Sequence, residues 1–282
     1  MQTIHDARTS AMQAANRLPQ FSVVLQRALH LFSQGDDISI NKVAGIIEQD
    51  VGTAGSILSI ANSALYARNA SVVSIRQAIA RLGIDKTRNA LLGLSVARLF
   101  KCVQLPEPWS SPRFNMHSLA SAVLSDLIAT NTPAMNPEWG FLTGLMHDIG
   151  LFLLVAGLPK ELGHLLANGT DDIHLTVRER ELFGFTHFDL GADLLARWNC
   201  PPAVQEAVRS CEHTVVPYDP KLSLGAVAKT ASMLADAHGI STFDSPHDQD
   251  LTASLLGALN IADPPKFMGV FESEYNGLKA AA

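Results

Sequence analysis

A nearly all-α fold follows from three features of the 282-residue sequence. Helix start and stop signals recur at intervals of roughly 20 residues. No alternating apolar and polar run bounded by hairpin turns stands out. A composition of 47% hydrophobic and 17% charged residues is that of a globular chain rather than a disordered or fibrous one. At this length a fold buries roughly three quarters of the surface its unfolded chain exposes, enough for one large core or two lobes. No disulfide or structural metal is needed for that. Cys102, Cys200 and Cys211 are odd in number and never spaced as C-x-x-C, which fits neither a disulfide framework nor a zinc ribbon.

The elements can be justified in order. Pro19 suits a first helical position, and Val23, Val24, Ala28, Leu31 and Phe32 form a stripe ending before the turn-forming Gly35-Asp36-Asp37. Ser39 can cap a second helix through Val43, Ile46 and Ile47, and a third carries Ile57, Leu58, Ala61 and Leu65 toward NSALY. Ser74 and Gln77 have capping-box spacing and Gly83 closes that helix; Asp85 then caps one bearing Leu91, Leu92, Leu94 and Leu99. Three prolines between Leu105 and Pro112 break the periodicity and mark a lobe boundary. Pro112 opens a helix through His117, Ala120, Leu124, Leu127 and Ile128, and Pro137 opens an apolar helix containing His147-Asp148. Thr176 and Glu179 form a second capping box closed by Gly184, Thr186 caps a helix through Leu190, Leu194, Leu195 and Trp198, and Pro201-Pro202 starts one through Val204, Ala207, Val208 and Cys211. Ser223 to His238 is a further helix, and the tail from Pro246 forms one or two peripheral ones.

Phe141 to Leu158 reaches the lower length for a membrane span, but His147 and Asp148 near its middle would be costly in a bilayer, so a core helix and no membrane contact are expected. The first residues carry no basic cluster followed by an apolar run, and a reducing cytoplasm is the expected location. A net charge of −6 disfavours a generic nucleic-acid coat. Tyr66 to Lys101 nevertheless holds seven basic residues against the single Asp85, and Arg68, Arg76, Arg81, Lys86 and Arg88 could neutralise phosphates. A solvated helical face is the commoner use of such a segment, so nucleic acid is an unfavoured partner. Asn62 and Ser63 of NSALY are read as a hydrogen-bonded turn.

The sharpest anomaly is GLMHDIG, which sets an imidazole and a carboxylate inside a helix apolar on nearly every face. Such groups cost several kcal/mol if buried unpaired, on the order of 2–7 kcal/mol for a polar group. Successive helical side chains point about 100° apart, so one ion can lie between the two directions, and Gly150 leaves room for a close approach. The pair can chelate a metal or form a buried Asp–His hydrogen bond. His117 lies on the inward stripe of an earlier helix, His187 opens a later one, and His213 ends the helix after it, where an imidazolium would also favour the macrodipole. Imidazole with carboxylate suits iron, manganese, nickel or zinc. His30, His164, His174, His238 and His247 are read as structural.

The run LPQF, VVLQRAL, ISINKVAGIIEQDVGTAGSILSIANSALY and VVSIRQAIARLG, followed by His117, GLMHDIG, ERELFG with His187, and RWNCPPAV, resembles the HDOD domain, a branch of the HD superfamily of metal-dependent phosphohydrolases. The likeness spans about Leu18 to Ala235. It implies an all-α fold of two packed helical lobes, the second an HD-like bundle: residues 1–17 an N-terminal extension, 18–110 the first lobe, 111–240 the HD-like lobe and 241–282 peripheral helices. Carried over by position, the resemblance implies His117, His147, Asp148, His187 and His213 as metal ligands, with Asp148 central to catalysis if there is any.

The sequence departs from the hydrolase pattern at three points. Ser232 stands where the family places a last aspartate, with Asp236 one helical turn on, where it would substitute if the register differed. Leu151 stands where the HD-GYP branch has a lysine, and no GYP triplet is present. A hydroxyl is a much weaker ligand than a carboxylate. The resemblance therefore implies a bacterial signal-transduction module with a degenerate metal site, acting on a signalling protein through protein contacts. Its alternatives are a metal-dependent phosphohydrolase for a phosphodiester or nucleotide and, less favoured, a nucleic-acid-binding regulator.

Overall fold

The computed structural model describes residues 4–17, 22–32, 38–63, 66, 71–101, 109–166, 172–213, 221–243 and 248–281, without the side chains of residues 4, 5, 17, 99–101, 172–174 and 213. Pro19, the Gly35–Asp37 turn, Leu65, Arg68, Cys102, residues 105–108 of the Leu105–Pro112 boundary, Pro246 and His247 lie outside the described residues, as do the side chains of Leu99, His174 and His213. Among the described residues the secondary structure is helical apart from turns and one isolated bridge, Ala134 to Leu222. The all-α expectation therefore holds.

The helices are α1 (Ile4–Ala14), α2 (Val23–Phe32), α3 (Ile40–Ile47), α4 (Val51–Ala61), α5 (Ile75–Leu82), α6 (Ile84–Lys101), α7 (Ser111–Asn131), α8 (Gly140–Met146), α9 (Ile149–Gly157), α10 (Pro159–Leu166), α11 (Asp172–Phe183), α12 (His187–Arg197), α13 (Pro202–Ser210), α14 (Leu224–Ala237), α15 (Gln249–Ala258) and α16 (Pro264–Ala281). They form two compact units, α1 with α7–α15 and α2–α6 with α16. The N-terminal helix thus belongs with the HD-bearing unit, and the last helix with the other.

In the smaller unit, local chemistry sets most boundaries. Ser39 Oγ accepts the Lys42 amide at 3.3 Å to start α3, and Ser74 Oγ accepts the Gln77 amide at 3.3 Å to start α5. The Gln77 side chain reaches one residue further back than a capping box requires, accepting the Val73 amide at 3.1 Å. Gly83, at φ 84°, ends α5 in a conformation that disfavours a Cβ. Asp85 does not cap α6 as expected. The helix begins at Ile84, so the carboxylate lies within the first turn, where the dipole also favours it, 3.3 Å from Arg88. Asn62 clamps the chain that follows α4, donating to Val72 O and accepting from Val72 N, both at 2.9 Å, which gives NSALY its structural use. The tail helix α16 is a core element here: Phe267, Phe271 and Tyr275 are buried, and Glu274 pairs with Lys86 at 2.7 Å.

Asp50 caps α4, accepting the Thr53 amide at 2.5 Å, with Arg98 3.1 Å from the same oxygen. The Thr53 hydroxyl and amide, with Arg98 beyond them, hold the Asp50 carboxyl below its usual range. Replacement by alanine should cost about 1 kcal/mol, typical of a lost N-cap, with little from the half-exposed ion pair. Because the folded carboxyl titrates below the unfolded value of 3.8, the charge-dependent part is complete above that pH and disappears as acid carries the medium through the lowered value. Urea titrations of wild type and Asp50→Asn should accordingly converge on acidification; a gap that widens in acid would contradict this account of the cap.

The larger unit is organised around α7, buried on every face from His117 to Ala129. Helix α8 lies against it so closely that a Cβ on Gly144 would sit 2.3 Å from Ser125 Oγ and 2.4 Å from Ser121 O. Helix α14 packs on α7 as well, while α12 and α13 pack against α9 and α14. Helix α1 docks on α9 with Ala7, Ala11 and Ala14 buried, and Arg8 reaches Asp193 on α12 at 2.5 Å. The apolar stretch Pro137–Gly157 is long and apolar enough to cross a membrane by composition, but most of it is buried inside this unit, as expected of a core element. It is not one helix. A 3-10 turn at Pro137–Trp139 leads into α8, and the chain breaks at His147-Asp148 before α9. Cys200 and Cys211 are buried thiols outside any disulfide, and burial pushes Cys200 up to about 12.

Candidate metal centre

The break at His147-Asp148 corrects the expectation that both lie within a continuous helix. His147 Nδ1 lies 2.8 Å from Gly144 O, the carbonyl that the Asp148 amide would use in an unbroken helix. Asp148, at φ −99° and ψ 10°, leaves helical geometry and opens α9, with its carbonyl accepting the Leu151 amide at 2.9 Å. The turn lets the carboxylate face the pocket while both flanking helices stay apolar and packed.

Three imidazoles converge on that carboxylate. His147 Nε2 lies 3.2 Å and His117 Nε2 3.6 Å from Asp148 Oδ2, and His187 Nε2 lies 3.7 Å from Oδ1. The candidate ligand atoms of His117, His147 and Asp148 all lie within 4.8 Å of one another. His117 comes from the buried face of α7, and His187 is the first residue of α12, whose N-terminus is set by a capping box between Thr186 and Asp189. Gly150 places His187. A Cβ there would lie 1.7 Å from His187 O and 2.7 Å from Gly191 N, so the space expected to admit an ion is filled by the backbone of α12. Three of the four helical histidines expected at the site therefore meet Asp148; the side chain of the fourth, His213, lies outside the described residues.

Each of the three rings is held by its other nitrogen. His117 Nδ1 is 2.9 Å from Ile240 O, His147 Nδ1 is 2.8 Å from Gly144 O, and His187 Nδ1 is 2.8 and 3.0 Å from the two oxygens of Glu179. Carbonyls and carboxylates only accept, so the Nδ1 atoms donate, and in the neutral rings the Nε2 lone pairs face Asp148. Lone pairs directed at an anion repel one another unless a proton or a cation intervenes. Burial would raise the Asp148 carboxyl, but the His147, His187 and His117 imidazoles, when they carry the intervening protons, outweigh it and hold the carboxyl well below the usual range. With Glu179 behind His187 and Asp236 behind His117, the pocket gathers three carboxylates around its imidazoles. This donor set fits one divalent transition ion, with His117, His147 and Asp148 to hold it and His187 beside them.

The structure also locates the departures from the hydrolase pattern. Ser232 Oγ, on α14, lies 3.3 Å from His117 Nε2, the nitrogen that faces Asp148. Asp236 sits behind the ring, its Oδ1 3.3 Å from His117 Nδ1, so it does not take the place of a ligand at Ser232. Leu151 is buried in the apolar body of α9. Glu179 was expected to complete a capping box with Thr176. Helix α11 instead begins at Asp172, which leaves Thr176 in its interior and the carboxylate free to turn toward His187. Its signal in the sequence was the ERELFG segment of the resemblance, in which Glu179 stands ahead of His187.

The basic stretch is largely consumed within its own unit. Arg81 donates to Ala61 O and Asn62 Oδ1, Lys86 meets Glu274, Arg98 meets Asp50, and Arg88 is buried beside Asp85 and over the Phe32 ring. Of the five basic residues that could neutralise phosphates, Arg81, Lys86 and Arg88 thus have partners within their own unit, Arg76 is exposed, and Arg68 lies outside the described residues.

Residues 18–214 match the model of the HDOD domain. A protein of Treponema pallidum (strain Nichols) without an assigned role is 24% identical over 252 residues, 87% of this chain; the chain spans 46% of that relative's length. Among solved structures, an HDOD domain protein of unknown function from Geobacter sulfurreducens superposes with a TM-score of 0.70 at 22% identity, covering 99% of this chain and 97% of that one. A Shewanella amazonensis SB2B protein described as a candidate phosphohydrolase gives 0.70 at 21% identity, with 97% and 98% covered. A candidate signal transduction protein from Marinobacter aquaeolei VT8 gives 0.68 at 20% identity, with 98% of this chain and 65% of that one covered. At these identities the likeness establishes the shared fold.

Proposed function

The chain belongs to the HDOD domain family, and we propose that it is a signal-transduction module whose HD pocket holds a divalent metal without supporting efficient phosphoester hydrolysis. It acts on a signalling protein through protein contacts. The observation that carries this reading is Ser232, which presents a hydroxyl to the pocket side of His117 while the nearest carboxylate on the same helix, Asp236, lies on the ring's other side. When bound, a divalent ion in such a pocket lowers the pKa of coordinated water and holds phosphate oxygens. This chain's residues supply His117, His147, Asp148 and His187 to hold the ion. A hydroxyl in place of an anionic ligand, and Leu151 in the apolar interior in place of a cation, leave the charge that develops on a transferring phosphoryl group less well compensated. The family membership and the Marinobacter relative's description support the signalling role, while the Shewanella relative's description keeps the phosphohydrolase alternative specific enough to test.

The test is turnover. Full-length protein supplied with manganese or iron(II) should show no steady release of nitrophenol from mono- or bis-(p-nitrophenyl) phosphate, nor hydrolysis of nucleotides or cyclic dinucleotides, above that of Asp148→Ala. Steady turnover that Asp148→Ala abolishes would establish the phosphohydrolase reading instead.

A further inference from the structure

A fully buried carboxylate outside the ring of candidate ligands calls for its own explanation. Glu179 has no exposed surface, and its carboxylate is directed at one residue. Its Oε2 accepts the backbone amide of His187 at 2.9 Å and lies 2.8 Å from Nδ1 of the same residue, while Oε1 lies 3.0 Å from that nitrogen. The amide is the first of α12, one that has no acceptor within its own helix, so Glu179 fixes the start of the helix as well as the ring. The other two rings meet backbone carbonyls through Nδ1, at Ile240 and Gly144, and His117 Nδ1 also lies 3.3 Å from Asp236 Oδ1, a carboxylate that holds no backbone amide of that histidine. His187, by contrast, has both its ring and its main-chain amide held by a single side chain from another helix. A carboxylate cannot donate a hydrogen bond, so the Nδ1 proton is fixed, and Nε2, 3.7 Å from Asp148 Oδ1, is left as the metal-facing nitrogen.

We infer that Glu179, on α11, is a positioning residue of the metal pocket, setting both the rotation and the tautomer of His187 so that its Nε2 serves as a donor beside Asp148. The inference rests on the metal-holding reading above. It gives Glu179 a role that a simple staple between α11 and α12 would not have: a staple needs only an acceptor for the amide, whereas positioning needs an acceptor for Nδ1 as well. A carboxylate behind a ligating imidazole also raises its basicity, which a backbone carbonyl does less strongly.

The test uses the full chain with cobalt(II) as the probe, and Glu179→Gln and Glu179→Leu as variants. Cobalt affinity should fall about 10- to 100-fold in both, the usual loss when such an outer partner is removed, with a changed visible spectrum. A staple alone would lower the unfolding temperature and leave cobalt affinity and spectrum as in the wild type, and that result would overturn the inference while the metal reading stands. Absence of cobalt binding by wild type would sink both. A second measurement needs neither metal nor variants: long-range proton–nitrogen NMR of the wild-type apoprotein should show His187 protonated at Nδ1. A His187 ring protonated at Nε2 alone would overturn the inference even if every variant failed to fold.

Discussion

Gly150→Ala should be among the most damaging single-methyl additions in this protein. The new Cβ would lie 1.7 Å from His187 O and 2.7 Å from both His187 C and Gly191 N, and all three are backbone atoms that no rotamer change can move aside. Relief requires α9 and α12 to separate. Overpacking that side chains can absorb costs roughly 1–3 kcal/mol, so a clash against main chain should cost about 3 kcal/mol or more. The damage also reaches the site, because these helices begin at Asp148 and His187 and parting them pulls the two groups away from each other. Gly55→Ala on α4 is the matched control: nothing lies within 4 Å of its added Cβ, and removing a helical glycine should stabilise by up to about 1 kcal/mol. Urea unfolding measures both. Equal midpoints for wild type and Gly150→Ala would mean that α9 and α12 do not pack as described.

Asp148→Ala should show the second large effect, split between metal and acid. With manganese at about 100 times its dissociation constant, wild type should gain about 2.7 kcal/mol over the metal-free protein, and the variant should gain nothing. Without metal, an imidazole that carries the intervening proton loses the anion it faces; breaking such a buried pair costs about 3 kcal/mol, less whatever deprotonation of the ring recovers. The Asp148 carboxyl is held below its ordinary 3.8 despite a burial effect that pushes it up, so its contribution is complete above 3.8 and is lost as pH falls through the lowered value. The difference between wild type and variant should therefore shrink in strong acid. A manganese-dependent rise in thermal stability that survives in Asp148→Ala would place the ion elsewhere.

Much of this architecture was legible in the sequence because it depends on local rules. Ser39, Ser74, Thr186 and Ser223 cap helices as their positions require, since an N-cap needs only a short hydroxyl side chain and a free amide nearby. The convergence of His117 and His187 on the adjacent pair His147-Asp148 took its warrant from the resemblance, because those two histidines lie far from the pair along the chain. Tertiary partners were not legible. Glu179 has the spacing of a capping residue and is used instead by His187, Asp236 lies behind His117, and the break at His147 follows from its ring reaching back to Gly144 O. The docking of α1 and α16 was hidden for a related reason. Their buried faces are short stripes, Ala7, Ala11 and Ala14 in one and Phe267, Phe271 and Tyr275 in the other, and a stripe does not name the surface it will cover.

The account turns on an ion among the imidazoles that surround Asp148. Elemental analysis of manganese- or iron-supplemented protein, joined to an anomalous-scattering map from crystals of the same preparation, tests it most directly. One ion per chain is expected, with a single anomalous peak bounded by His117 Nε2, His147 Nε2, His187 Nε2 and the Asp148 carboxylate. Protein that stays metal-free after supplementation, with His147 and Asp148 in direct hydrogen-bonded contact, would contradict it.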